Sequence, residues 1–429
     1  MKTFLRKTAV VAGAFALGMA TVHAQDASID EATIDAGQLS IKNSRAAVKV
    51  LQEAARLSPS FQRDFGANDT TSLKVWPYTY TSPRNGSTYS GNIVGSTPFA
   101  RGARTTTIPV VLIPLRVQFT GTVRNFDPTS PDTGCLGPGN TALTLVQGSP
   151  VFNVVPNYTF NGVNLGNVTY PDAFQRAAFY PQVSAGSSAW HLAFNVTVAA
   201  KQTISVPNNA VQGATFIPNS PCSTNLITDD NPNRLGVVDI NYIDPLLNAI
   251  IANLGITRSQ FPLFLIYGVV MSDGTAGNLN NCCILGYHNG SQISNSTDPE
   301  QTYGIAEYDQ NILFGAGTKD ISVMSHEVME WVNDPSTNNL VPPWGGIGQV
   351  GGCQDNLETG DPLSGTLMPA VLMPNGVTYH TQEQAFFGWF LAAPPASGGF
   401  SAGAGAGNKY SSNGTFSGFA KACPPGGTN

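Results

Sequence analysis

Residues 321–335 read Ile-Ser-Val-Met-Ser-His-Glu-Val-Met-Glu-Trp-Val-Asn-Asp-Pro. His326 and Glu330 stand four positions apart, so on a helix they share one face, with Glu327 beside it. Ile321, Met324, Val328 and Trp331 are spaced to bury the opposite side. The pattern predicts a mostly buried helix presenting one imidazole and two carboxylates. Such groups are costly to bury unpaired, so a metal or dense hydrogen bonding has to answer them. The comparison is H-E-x-x-H, in which two histidines bind zinc and the glutamate between them is the general base. Here the motif is H-E-x-x-E. Glu330 can still bind zinc through oxygen, at about 2.0–2.2 Å, and an oxygen-rich site widens the choice toward manganese or calcium. The competing reading is a solvated helix face with Glu330 paired to a lysine.

A third ligand has to come from downstream. In Asn356-Leu357-Glu358-Thr359-Gly360-Asp361, Glu358 is the candidate ligand, and Asp361 is the candidate to hold the far nitrogen of His326. The alternative is a polar, glycine-rich turn. His288 either faces the site from a neighbouring strand or hydrogen-bonds at a strand end. His380 is a candidate substitute ligand or, with Tyr379, a donor to an oxyanion. With zinc bound, the pKa of a coordinated water falls toward about 7. Glu327 then acts as general base, and Tyr379 or His380 helps to stabilise a tetrahedral oxyanion. Two carboxylate ligands weaken the ion as a Lewis acid, so slow or specialised hydrolysis of a protein or peptide substrate is expected.

Other elements must position these groups. Residues 243–255 suit a helix, with Pro245 near its start and Gly255 after its end. Residues 261–271 suit one buried strand, and 283–287 and 303–308 two more. The chemistry-bearing helix is expected to start near Lys319, with Asp320 as N-cap, and to stop at Asp334-Pro335. Residues 336–376 look loop-rich, and 381–391 suit a last amphipathic helix. Upstream, the pattern over 76–220 is β. Residues 105–120 alternate, and Pro109 and Pro114 push that strand toward an edge or a bulge. Asn161-Gly162 marks a hairpin turn, and 190–198 put Trp190, Leu192 and Phe194 on one face, leaving His191 on the polar side. Residues 43–57 suit a helix, either docked on the next domain or part of a pro-segment. The expected organisation is a leader over 1–24, a lead-in or pro-segment over 25–75, a β-rich region over 76–220, a metal-site domain over 221–395 and a Gly/Ala/Ser-rich tail over 396–429.

Gly286-Tyr287-His288, Tyr303-Gly304-Ile305-Ala306, Ser325-His326-Glu327-Val328-Met329-Glu330 with Asn333-Asp334-Pro335, and Glu358-Thr359-Gly360-Asp361 follow one another in order. The series resembles a family of secreted proteins that includes the exordium or phosphate-induced proteins of plants. Its bacterial members look like zincin-type metallopeptidases. The resemblance covers roughly residues 260–391. It implies an α+β fold in which a β-rich N-terminal portion precedes a zincin-like domain, its active-site helix packed on a mixed sheet. The rival is a non-catalytic secreted binding or structural module that keeps the same fold. A calcium-stabilised β-protein is a further rival.

Composition bounds these readings. The chain has 429 residues, 41% hydrophobic and only 11% charged, which is ample for a core and too apolar for wholesale disorder. Lys2, Arg6 and Lys7 precede an apolar run over 8–22, and Val22-His23-Ala24 fits a leader cleavage site, so export is expected. Cleavage would take the net charge from −6 to −9 as those three cations leave, a poor balance for binding nucleic acid. No later run is long enough for a bilayer. The six cysteines suggest disulfides in an exported chain, with the adjacent Cys282 and Cys283 expected to pair with different partners. The G-x-S-x-G string at Gly399-Phe400-Ser401-Ala402-Gly403 falls in the Gly/Ala/Ser-rich tail rather than at a strand-to-helix elbow, and there is no phosphate loop. Asp229, Asn231 and Asn233 lack the glycine of a calcium loop and suit a plain acidic turn.

Overall fold

The computed structural model describes residues 33–34, 72–100, 104–122, 124–183, 189–218, 235–291, 301–309, 314–392 and 409–423. The expected leader, the helix over 43–57, the turn around Asp229 and the Gly/Ala run near 403–407 lie outside them. The architecture is mixed α/β with strands dominating and a curled mixed sheet.

The central sheet has seven strands. They are β1 (Arg104–Thr120), β2 (Asn125–Phe126), β3 (Trp190–Val198), β4 (Gln202–Pro207), β5 (Phe261–Tyr267), β6 (Gly286–Ser291) and β7 (Gln301–Tyr308). Their order runs β6–β7–β5–β1, with β2, β3 and β4 also on β1. The β1–β5 and β5–β7 pairs are parallel, whereas β6 lies antiparallel to β7 at the end of the sheet. Strands from the expected β-rich portion and from the expected metal-site portion thus share one sheet.

The two prolines do not push β1 to an edge, because each falls where one neighbour is absent. Pro109 faces Asn195 of β3 just before the β5 register begins at Val110. Pro114 faces Leu265 of β5 in the gap between the end of β3 pairing at Leu112 and the start of β4 pairing at Leu115. A proline lacks only the one donor, and at these points one side of the ladder has nothing to receive it.

Alternation along β7 builds two cores. Tyr303 and Ile305 join Phe264, Ile266 and the helix α1 (Ile240–Asn253) on one face. Ala306 and Tyr308 face the other side, where the helix α2 (Ser322–Asn333) crosses β7 and β6. Trp331 of α2 stacks on Phe261 with ring centroids 3.7 Å apart and planes 11° apart, and its Nε1 donates to Thr302 Oγ1 at 3.0 Å. All twelve residues of α2 are buried, so tertiary packing rather than intrinsic propensity holds it.

Several boundaries differ from the expectations. The apolar run 261–271 is two strands, β5 and Val269–Ser272, parted at Gly268 with φ 68°. A glycine adopts that angle freely, and the chain there leaves for a second, five-stranded sheet. Residues 283–287 divide in the same way between Cys282–Ile284 and β6. Asp320 is not the N-cap: Ile321 is, with no side-chain cap. Residues 336–376 contain the hairpin Leu340–Ile347 with Val350–Asn356. The last helix is only Phe387–Leu391. Residues 381–386 are a buried extended segment, whose amides at Glu383, Ala385 and Phe386 donate to Thr366, Thr359 and Tyr410 carbonyls. The Asn161-Gly162 turn does join two antiparallel strands, with both residues at positive φ. His191 is half-buried and pairs with Asp172 at 2.6 Å. Cys282 and Cys283 pair with each other rather than outward, and Cys353 pairs with Cys423.

Candidate metal centre

The helix α2 and three flanking segments bring two histidines and four carboxylates to one place. α2 supplies His326, Glu327 and Glu330. The strand β6 supplies His288, on the same face as Gly286 because alternate residues of a strand point the same way. The loop after the hairpin supplies Glu358 and Asp361. Each of the six residues is 5% exposed or less.

His326 Nε2 lies 3.0 Å from Glu330 Oε2 and 3.6 Å from Asp361 Oδ1. The far nitrogen, Nδ1, is held by Gln382 Oε1 at 3.1 Å. Gln382 therefore fills the positioning part expected of Asp361, and Asp361 sits instead on the coordinating side of the ring. Two glutamines fix Asp361 in turn: Gln354 Nε2 donates to Oδ2 at 3.0 Å, and Gln349 Nε2 donates to Oδ1. Glu330 Oε1 accepts the backbone amides of Gly360 and Asp361 at 2.9 and 3.1 Å, which leaves Oε2 toward the histidine.

His288 forms the other half. Its Nδ1 lies 3.7 Å from Glu327 Oε2 and 3.9 Å from Glu330 Oε2. Its Nε2 lies 3.8 Å from Glu358 Oε2 and 3.0 Å from the Asp334 carbonyl. The ring is thus in the centre and not merely at a strand end. Among the described residues, two sets of three offer ligand atoms within 4.8 Å of one another: His326, Glu327 and Glu330, and His288, Glu330 and Glu358. The expected trio of His326, Glu330 and Glu358 is divided between them.

Two glycines make room for these groups. A Cβ on Gly360 would stand 2.5 Å from His326 Nδ1, and one on Gly286 would stand 2.8 Å from Glu327 Cγ. Real Cβ atoms do not approach that closely, so ring and carboxylate occupy space that only glycine leaves. A small pocket of about 30 Å³ opens beside them, lined among others by Leu285, Gly286, His326, Glu327 and Gln382. By that measure it holds a water or two.

The electrostatics follow from burial. Burial disfavours a charged imidazole, yet Glu358 with Glu327 and Glu330 raises the His288 pKa to about 10. His326 is also raised, against the pull of burial, by Glu330 and Asp361. Burial and the Glu330 charge push Glu358 well above the carboxylate range, and the same two causes raise Asp361 against the pull of His326. Among the described residues, every ion pair of these four carboxylates is with a histidine. Glu327 Oε2 and Glu358 Oε2 are buried and find no hydrogen-bond partner among the described residues. Unanswered buried oxygens of this kind are what a cation satisfies, so the residues present fit a divalent ion.

Tyr379 and His380 are not brought into the cluster. The Tyr379 hydroxyl donates to the Leu145 carbonyl at 2.8 Å and accepts from Asn375 Nδ2 at 2.8 Å. His380 Nδ1 pairs with Asp320 Oδ2 at 2.7 Å, and its amide donates to Asp320 Oδ1 at 2.8 Å. Asp320 has φ 37°. The residues that sequence reasoning missed are Gln382, Gln349, Gln354 and the two close-approach glycines. Only Gly286 carried a signal, two positions before His288 on one strand face. Comparison with protein families, with curated proteins and with solved structures found no match to this chain.

Proposed function

We propose that the protein is a secreted metal-dependent peptidase whose H-E-x-x-E helix works in a zincin-like setting. The observation that carries this reading is the pair of buried carboxylate oxygens, on Glu327 and Glu358, that lie 3.7 and 3.8 Å from the two nitrogens of His288 and find no hydrogen-bond partner among the described residues. Glu330 would hold the ion with His326 on one side and with His288 and Glu358 on the other, with Asp361 beside His326. Zinc is the ion favoured by imidazole ligands, with manganese or calcium favoured by the oxygen share. A bound divalent ion supplies Lewis acidity and an acidified water.

The chain's own residues do the rest. Glu327 lines the pocket, and its carboxylate would take a proton from a water there and pass it to a leaving amine. Gln382 fixes which nitrogen of His326 faces the carboxylates. Gly360 and Asp361 amides orient Glu330. Two disulfides fit an exported chain, and no helix among the described residues is long and apolar enough to cross a membrane.

The test is Glu327→Gln, assayed against a mixed peptide library with metal content measured in parallel. The variant should keep its metal and lose cleavage by about 10²–10⁴-fold. Unchanged cleavage removes the base assignment. Metal binding with no cleavage by the wild-type chain favours the non-catalytic secreted module.

A further inference from the structure

We infer that the centre is built for two divalent cations that share Glu330. This rests on the metal reading above and deepens it. The first ground is geometry. The six side chains do not converge on one point: His326 and His288 belong to different ligand sets, and the only residue common to both is Glu330. Its Oε1 is consumed by two backbone amides. Oε2 alone faces both histidines, at 3.0 Å from His326 Nε2 and 3.9 Å from His288 Nδ1. A single ion placed against His326 leaves the buried Glu358 Oε2 with only His288 Nε2 at 3.8 Å and no hydrogen-bond partner among the described residues. A single ion placed against His288 leaves the His326 side with Asp361 and Glu330 packed on one ring nitrogen.

The second ground is charge. With ions bound, Glu327, Glu330, Glu358 and Asp361 would bring up to four negative charges into one buried space. One divalent ion between neutral imidazoles leaves two of these charges unbalanced, and two divalent ions balance all four. Paired ions about 3.5–4 Å apart under a shared carboxylate are a known way to clamp both oxygens of a displacement.

The experiment uses the full chain, dialysed to equilibrium against zinc chloride and counted by elemental analysis. The wild-type chain should hold two zinc ions. Glu358→Gln and His288→Ala should each lose one and keep one, as should His326→Ala. Near-ultraviolet circular dichroism reports whether each variant folds. A wild-type count of one overturns the two-ion inference while the single-ion reading stands. A count of zero removes both. A second measurement needs no variant: the manganese-loaded chain should give an exchange-coupled paramagnetic resonance signal. An isolated hyperfine sextet at saturation overturns the inference.

Discussion

Glu330 is fastened at one oxygen and open at the other, and that asymmetry organises the centre. Its neighbour Gly360 is as necessary as a ligand, because a Cβ there would meet His326 Nδ1 at 2.5 Å. Gly360→Ala should displace the ring and weaken zinc binding by about 10–100-fold, the scale of a lost positioning contact. Calorimetric titration reads this, and unchanged affinity would show that the ring's position does not matter. A pH dependence follows from His288, raised to about 10 against burial by Glu358, Glu327 and Glu330. A raised imidazole adds stability that is complete below its ordinary 6.5 and is lost as pH climbs through about 10. The raised Glu358 acts with the same sign, since the folded chain holds that proton longer. The metal-free chain, kept in chelator, should therefore melt progressively lower from pH 6.5 to 10, and the zinc-loaded chain should fall less. A melting temperature that rises over this window contradicts the arrangement. The pairing of His326 with Glu330 was legible because both sit one turn apart on one helix. The partners of Glu358 and Asp361 were not, because they depend on where β6 and the hairpin loop fold back.

The element that matters most is α2, and Trp331 is its largest buried side chain. Trp331 lies flat on Phe261 and donates to Thr302. Trp331→Ala should cost about 3–5 kcal/mol, measured by urea unfolding. It should also weaken zinc binding, because the helix carries three of the metal-facing side chains. A loss below about 1 kcal/mol would show that α2 is held by something else. Helix α2 was readable from apolar positions on one side and chemistry on the other. The division of 261–271 was not readable, because both halves are uniformly apolar and only Gly268 marks the break. Residues 381–386 misled for a different reason. Their aromatic and apolar neighbours suggest helix, yet the segment is an extended wall of the site, with Gln382 bonded to His326 and to the Gly360 carbonyl. Local composition carries no trace of that long-range pairing.

Across the whole molecule, the C-terminal segment is drawn back over the hairpin. Cys423 is joined to Cys353 across 70 residues, Arg84 donates to the Ala420 and Pro343 carbonyls, and Phe416 stacks on Trp389 at 5.0 Å. Opening the link with Cys423→Ser should cost about 2–4 kcal/mol, read from chemical unfolding under oxidising conditions, and an unchanged midpoint would show that the tail is held without it. Counting the cysteines anticipated disulfides but not their partners, since Cys282 and Cys283 are joined to each other rather than outward. The β-rich character of 76–220 was likewise legible, whereas its sharing of a sheet with the later strands rests on β1 pairing with β5. The most direct measurement is a zinc-edge anomalous difference map from crystals of the full chain grown with zinc chloride. The account predicts density within bonding distance of Glu330 Oε2, flanked by the His326 and His288 rings. A map at full zinc saturation with no peak at that oxygen would contradict it.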